Sequence, residues 1–274
     1  MLLSRRAAIK GLAATGLGAF SGAAIYGTAY ERHQIGTTEV ALPVSGLPAA
    51  LDGLRIGFLT DIHHSNTVPA ADVASAVRLA LEQKPDLIVL GGDYVTFGDR
   101  AFVQPVAELL APLQAPYGVF AILGNHDDDR DMPAALEAQH IEVLKDARTR
   151  IELRGERLEL AGVRFWTRRL EDVARVLRKA SDTVLLLAHD PRRITEAATL
   201  GVPAVLSGHT HGGQVVIPGL GAVARRRFPI LAGLGSRANT SIFVSRGVGT
   251  VYVPVRINCP PEVAVVTLKR RQRA

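Results

Sequence analysis

Short apolar runs alternate with stretches of helical periodicity along most of the chain, and this rhythm predicts the architecture. "LRIGFLT" (54–60), "DLIVLGGD" (86–93), "YGVFAILGNHD" (117–127) and "TVLLLAHD" (183–190) are apolar runs that each end in polar residues. Continuous runs of this kind fit strands buried on both faces. Between them, "PAADVASAVRLALEQK" (69–84) has apolar residues at helical spacing behind a proline, and 101–112, 131–140, 170–180 and 191–200 read as further helices. After Gly208 the character shifts to strands and turns: "GQVVIP", "SIFVSRG", "TVYVPVRI" and "EVAVVTL". This order predicts an α/β domain over 51–270, a sandwich of two packed mixed β-sheets flanked by α-helices. Residues 31–50, broken near Pro43, Gly46 and Pro48, read as a leading strand or linker.

Residues 1–30 stand apart. A basic start is followed by twenty uncharged residues from Gly11 to Tyr30, rich in Gly and Ala. A positive segment, a modestly apolar one and small residues near Gly27-x-Ala29 form the layout of an export signal. "SRRAAIK", with Ser4, Arg5, Arg6, Ile9 and Lys10, resembles a twin-arginine signal, with Ala8 where an aromatic is commoner. Twin-arginine signals are addresses read by the export machinery. Twenty uncharged residues also suffice to span a bilayer as an uncleaved anchor. The expected location is therefore outside the cytoplasmic membrane, in the cell envelope or periplasm or anchored to the membrane.

Charge adds little to this picture. The net +6 falls to +3 without Arg5, Arg6 and Lys10, because the rest of the chain has 29 basic against 26 acidic residues. Basic clusters at Arg168-Arg169, Arg192-Arg193, Arg225 to Arg227 and Lys269 to Arg273 suit an anionic membrane surface or solvent. Aromatic residues are not interleaved with them, so no nucleic-acid platform is expected. The single cysteine, Cys259, excludes an internal disulfide framework and a thiolate zinc cluster.

The chemistry lies at the strand ends. Metal-competent side chains follow the apolar runs: Asp61 and His63 in "FLTDIHH", Asp93 in "VLGGDY", Asn125, His126 and Asp127 in "ILGNHDD", His189 in "LLLAHDP", and His209 and His211 in "VLSGHTHGG". Five of the eight histidines fall at these ends. Open α/β sheets gather ligands at the carboxyl ends of their strands, so residues distant in sequence can converge. Carboxylate, imidazole and amide donors suit a hard or borderline divalent ion such as Mn, Fe or Zn. Glycines at 91, 92, 124, 208, 212 and 213 allow tight turns and close backbone approach.

The ordered set Asp-x-His, Gly-Asp, Gly-Asn-His-Asp, lone His and Gly-His-x-His resembles the calcineurin-like metallophosphoesterase superfamily over 54–268. The tail "GHTHGGQVVIPGLG…VSRGVGT…PVRINCPPEV" is similar to its twin-arginine-exported or membrane-associated bacterial members, which include phosphodiesterases and UDP-2,3-diacylglucosamine hydrolases. The resemblance implies two divalent metal ions. Asp61, His63 and His211 would hold one and Asn125, His189 and His209 the other, with Asp93 bridging. His126 would stabilise charge on the substrate phosphate or protonate the leaving oxygen, and Asp127 would orient His126. It also implies hydrolysis of a phosphodiester or pyrophosphate bond by metal-activated water, with a lipid-linked or nucleotide-sugar substrate from the envelope. A phosphomonoesterase or nucleotidase with the same site, and a non-catalytic metal-containing envelope-binding protein, are the alternatives. Arg164-Phe165-Trp166 departs from the acidic residue common in relatives, which leaves the substrate pocket open.

Overall fold

Two six-stranded mixed sheets stack face to face in the computed structural model, which describes residue 18 and residues 21–181, 183–222 and 227–271. The first sheet contains β1 (Gly36–Val44), β2 (Arg55–Leu59), β3 (Leu87–Leu90), β4 (Val119–Ala121), β5 (Glu142–Val143) and β14 (Glu262–Arg270), in the order β1-β14-β2-β3-β4-β5. The second contains β6 (Ala147–Leu153), β7 (Glu156–Val163), β8 (Val184–Ala188), β9 (Ala204–Ser207), β12 (Gly233–Arg237) and β13 (Thr240–Val244), in the order β12-β13-β9-β8-β7-β6. A small hairpin, β10 (Val216–Ile217) with β11 (Gly221–Ala222), stands apart. The helices are α1 (21–29 among the described residues), α2 (Ala70–Glu82), α3 (Val103–Leu110), α4 (Asp131–Glu137), α5 (Leu170–Val176) and α6 (Ile194–Thr199). No helix among the described residues is long and apolar enough to cross a membrane. Residues 1–17, which carry the arginine pair, lie outside the described residues.

The apolar runs are buried on both faces because each sheet is covered on both faces. In β3, Leu87 and Val89 enter the central core between the sheets, while Ile88 and Leu90 meet the helices. In β8, Leu185 and Leu187 face the central core and Leu186 and Ala188 face the α6 side. Helix α2 buries Val73, Ala76, Val77 and Ala80, and α3 buries Val103, Val106, Ala107 and Leu110. Both sets have the i, i+3, i+4, i+7 spacing of one helical face. Strand β1 pairs in parallel with β14 at the sheet edge, where Pro43 leaves no central ladder bond unmade.

Two segments depart from the pattern. The hairpin β6–β7 turns at Arg154 and Gly155, both with positive φ, and its arginine-rich outer face hides the strand signal. "TVYVPVRI" forms no strand. Its backbone bends at Tyr252 (φ 63°), Pro254 has no N–H, and Gln214 supplies the hydrogen bonds that a neighbouring strand would otherwise make.

Candidate metal centre

Strands β2, β3 and β4 are parallel neighbours in one sheet and β8 and β9 in the other, so their carboxyl ends open on one edge of the sandwich. Pairing continues into the loops: Asp61 N–H donates to Gly92 O (2.9 Å) and His63 N–H to Asp93 O (3.0 Å). Asp61, His63, Asp93, His209 and His211 all adopt φ between 51° and 72°. A left-handed backbone costs a non-glycine residue about 1–2 kcal/mol, and such strain gathers where side chains must be aimed. Glycines occupy the points of closest approach. A Cβ on Gly92 would stand 2.4 Å from Gly124 N, and one on Gly208 would stand 2.2 Å from Asp61 Oδ2.

Two trios of ligand atoms result, each within 4.8 Å: Asp61, His63 and His211, and Asp93, His189 and His209. They abut, since His63 Nε2 lies 3.5 Å from Asp93 Oδ2 and His189 Nε2 lies 3.8 Å from Asp61 Oδ1. Burial pushes His63 down to about 3 and His211 well below its ordinary value, so both rings are neutral with lone pairs available. Their Nε2 atoms face each other at 3.1 Å. Burial, then His189, lowers His209 to about 4. Burial also raises Asp61 to about 6, whereas at Asp93 burial is outweighed by His189 together with His63 and His126, which hold the carboxyl below its usual range. At His189 burial is overcome by Asp93 and Asp61, which push it up to about 10. Positive charge is therefore favoured at His189, between Asp93 and Asp61, while burial keeps the other three rings neutral.

Orphaned atoms show how well a cation fits. His189 Nδ1 donates to Gly91 O (2.7 Å), which leaves Nε2 to ligate. That Nε2 is buried without a hydrogen-bond partner, although Asp93 Oδ2 is 3.0 Å away, because the two do not align for one. Asn125 Oδ1 is likewise buried and unpartnered. Each such atom costs about 1–3 kcal/mol unless something satisfies it. The only thiol, Cys259, donates to His211 O (3.2 Å), leaving an oxygen and nitrogen donor set for a borderline divalent ion.

His126 and Asp127 sit beside the trios. The His126 backbone N–H donates to Asp93 Oδ1 (2.8 Å), and its Nδ1 accepts the Phe97 N–H (2.9 Å). The neutral ring thus carries its proton on Nε2, and it meets the His63 ring edge-on at 5.0 Å. Asp127 does not reach this ring. Its carboxylate accepts N–H groups from Asp93 (2.7 Å), Tyr94 (2.8 Å) and Gly124 (2.8 Å), pinning the β3 and β4 loops together. Burial, then Asp93, pushes Asp127 up to about 7.

Arg164 pairs with Asp146 (2.6 Å) and Asp129 (3.1 Å). The following Phe165 ring packs 5.1 Å from the His209 ring, and exposed Trp166 carries the Arg168 guanidinium 4.7 Å above it. Sequence reasoning missed Arg256, which is fully buried and donates to the carbonyls of Gly249 (3.2 Å), Cys259 (3.1 Å), Arg246 (2.8 Å) and Gly247 (3.2 Å). This gathers the 246–250 loop against Asp61, whose carbonyl accepts Gly249 N–H at 2.7 Å. No periodicity marks a single buried arginine in a loop.

The calcineurin-like phosphoesterase family profile matches residues 54–213, more than half of the chain and every loop that carries a ligand candidate. The chain belongs to the calcineurin-like phosphoesterase family. This phosphoesterase is 32% identical over 280 residues to the uncharacterized metallophosphoesterase YkuE of Bacillus subtilis, covering 97% of this chain and 98% of that protein. It is 35% identical over 229 residues to phosphodiesterase YaeI of Escherichia coli, covering 78% of this chain and 82% of that one. An uncharacterized metallophosphoesterase of Aquifex aeolicus is 34% identical over 268 residues, covering 92% and 96%. The calcineurin-like phosphoesterase is a metal-dependent phosphoester hydrolase with two candidate metal-binding clusters.

Proposed function

We propose that this phosphoesterase hydrolyses a phosphodiester or pyrophosphate bond at a binuclear centre. Asp61, His63 and His211 would hold one divalent ion and Asn125, His189 and His209 the other, with Asp93 available to both. The observation that carries this reading is the convergence of six side chains from four loops, beside which Asn125 Oδ1 and His189 Nε2 are buried and unpartnered. Manganese, zinc and iron all suit the donor set. A bound pair of divalent ions supplies the charge that activates water and offsets the phosphoryl oxygens during in-line displacement. The chain's own residues do the rest. His126 presents its Nε2 proton to the leaving oxygen, and the Phe97 N–H holds it in that tautomer. Asp127 keeps Asp93 and the Gly124 loop in register and acts as a positioning residue.

The cell envelope is the proposed location, with a lipid-linked or nucleotide-sugar phosphoester as substrate, the membrane surface as neighbour and the twin-arginine machinery as exporter. The seating of α1 favours retention of the amino-terminal segment as an anchor. Arg256 N–H donates to Gly27 O (3.1 Å), and a Cβ on Gly27 would stand 2.6 Å from Arg256 O. Mass spectrometry of the mature amino terminus tests this, and a chain beginning at Tyr30 would refute retention. For the activity, hydrolysis of bis-p-nitrophenyl phosphate is measured with manganese, with and without chelator. Turnover that needs the metal is expected. Absence of metal-dependent hydrolysis of any phosphoester would defeat the proposal.

A further inference from the structure

A cleft of about 250 Å³ opens beside the His63 and His126 end of the centre. On its inner side Thr96 Oγ1 lies 3.3 Å from His63 Nδ1, so the cleft adjoins the first metal trio. Two aromatic side chains form its rim. Phe97 is 66% exposed and Tyr252 is 78% exposed, their rings lie 5.6 Å apart, and they approach the His126 ring at 5.0 Å and 6.4 Å. Both have left-handed backbone, φ 53° and 63°, which is unusual for bulky residues. Gln214 holds Tyr252 in that conformation. Its side chain accepts Val251 N–H (2.7 Å) and donates to Val251 O (3.2 Å) and Val253 O (3.4 Å), on both sides of Tyr252. The fold thus spends strain to display two largely exposed rings next to the reacting centre.

The lining of the cleft tells what it takes. Ser65 lines the cleft with its hydroxyl, which donates to His63 O (3.0 Å) and lies 3.2 Å from the Thr67 hydroxyl. Asn66 and Thr67 add amide and hydroxyl groups to the wall. An acyl chain covering Asn66 and Thr67 would strip water from their polar groups without replacing it, whereas a ring bearing hydroxyl or amide groups satisfies them and offers a face to the aromatics. The volume is below the ~300–1,000 Å³ typical of sites for drug-sized ligands, which limits the occupant to about one ring. We infer that this cleft is the subsite for a neutral, hydroxyl- or amide-bearing ring, a sugar or a nucleoside base, attached to the phosphoryl group being cleaved. The inference rests on the proposed phosphoesterase centre and names the part of the substrate that the centre alone leaves open.

The test is calorimetric binding to the manganese-loaded full chain of uridine 5′-phosphate, glucose 1-phosphate, octyl phosphate and methyl phosphate. At least one of the two ring-bearing probes is expected to bind roughly five- to tenfold more tightly than methyl phosphate. The tighter of the two identifies base or sugar, and octyl phosphate gains less. F97G and Y252G should each erase most of that advantage, and Y252G should shift methyl phosphate less than twofold. Because glycine relieves the left-handed strain, F97G and Y252G should unfold at an unchanged midpoint or one raised by up to about 3 °C. That separates loss of binding from loss of fold. No ring advantage in the wild type, an advantage that survives both variants, or octyl phosphate as the tightest ligand would each overturn the inference. Metal-dependent turnover of bis-p-nitrophenyl phosphate is measured in parallel, so failure of the centre and failure of the subsite are told apart.

Discussion

Gly124→Ala probes the packing of the centre with one methyl group. The added Cβ would stand 2.0 Å from Asp93 Oδ1 and 2.6 Å from Asp93 N, roughly 1.4 Å short of ordinary contact at about 3.4 Å. The carboxylate has nowhere to retreat, since Oδ1 accepts the His126 N–H (2.8 Å) and the Asp93 N–H is held by Asp127 (2.7 Å). Overpacking of this kind costs about 1–3 kcal/mol of stability. For a chain of this size that lowers the midpoint by roughly 3–9 °C. The larger effect falls on function, because a ~1 Å misplacement near reacting atoms costs about a hundredfold in rate. Asp93 adjoins both trios, so bound metal should fall together with kcat/KM for bis-p-nitrophenyl phosphate. The assay pairs metal content by atomic absorption with turnover and thermal unfolding. Gly36→Ala, with no atom within 4 Å of the added Cβ, serves as control and should leave all three unchanged. A Gly124→Ala protein with full metal content and turnover within threefold of wild type would refute the geometric argument.

His126→Ala leaves the backbone N–H on Asp93 in place but removes the Nε2 proton, so kcat should fall about 10²–10⁴-fold with metal content unchanged. Parallel loss of metal would reassign the ring as a ligand. Arg256→Met strips the donor from at least four buried carbonyls and should destabilise the chain by about 3 kcal/mol or more in urea unfolding. A change below 1 kcal/mol would show that the loop satisfies its carbonyls otherwise. At Asp146, burial is outweighed by hydrogen bonds from Arg164 N–H and the Thr167 hydroxyl, which hold the carboxyl below its ordinary 3.8. A lowered native pKa means stabilisation that is present above the unfolded value and lost as pH falls through the native one. The stability gap between wild type and Asp146→Asn should therefore be constant from about pH 7 to 5 and shrink below about pH 4. A gap that widens on acidification would reverse the sign of this argument.

Much of this protein was legible without coordinates because its signals are local. Strands such as β3 and β8 announce themselves as apolar runs because covering a sheet on both faces makes every position in the run apolar. Asp61, Asp93, His189 and their companions follow such runs directly, so strand ends and ligand chemistry could be read together. Tertiary structure decided what depends on which loops meet. Asp127 lies beside His126 in sequence, yet it serves the Asp93 loop because three backbone N–H groups from two loops converge on it. "TVYVPVRI" alternates like a strand, but Gln214, more than thirty residues away, takes over its hydrogen bonds and turns Tyr252 outward. Arg256 reads as one more surface arginine until the carbonyls that surround it are brought together. Periodicity reports which face a segment buries; only the folded chain decides which distant polar atoms are left to complete one another.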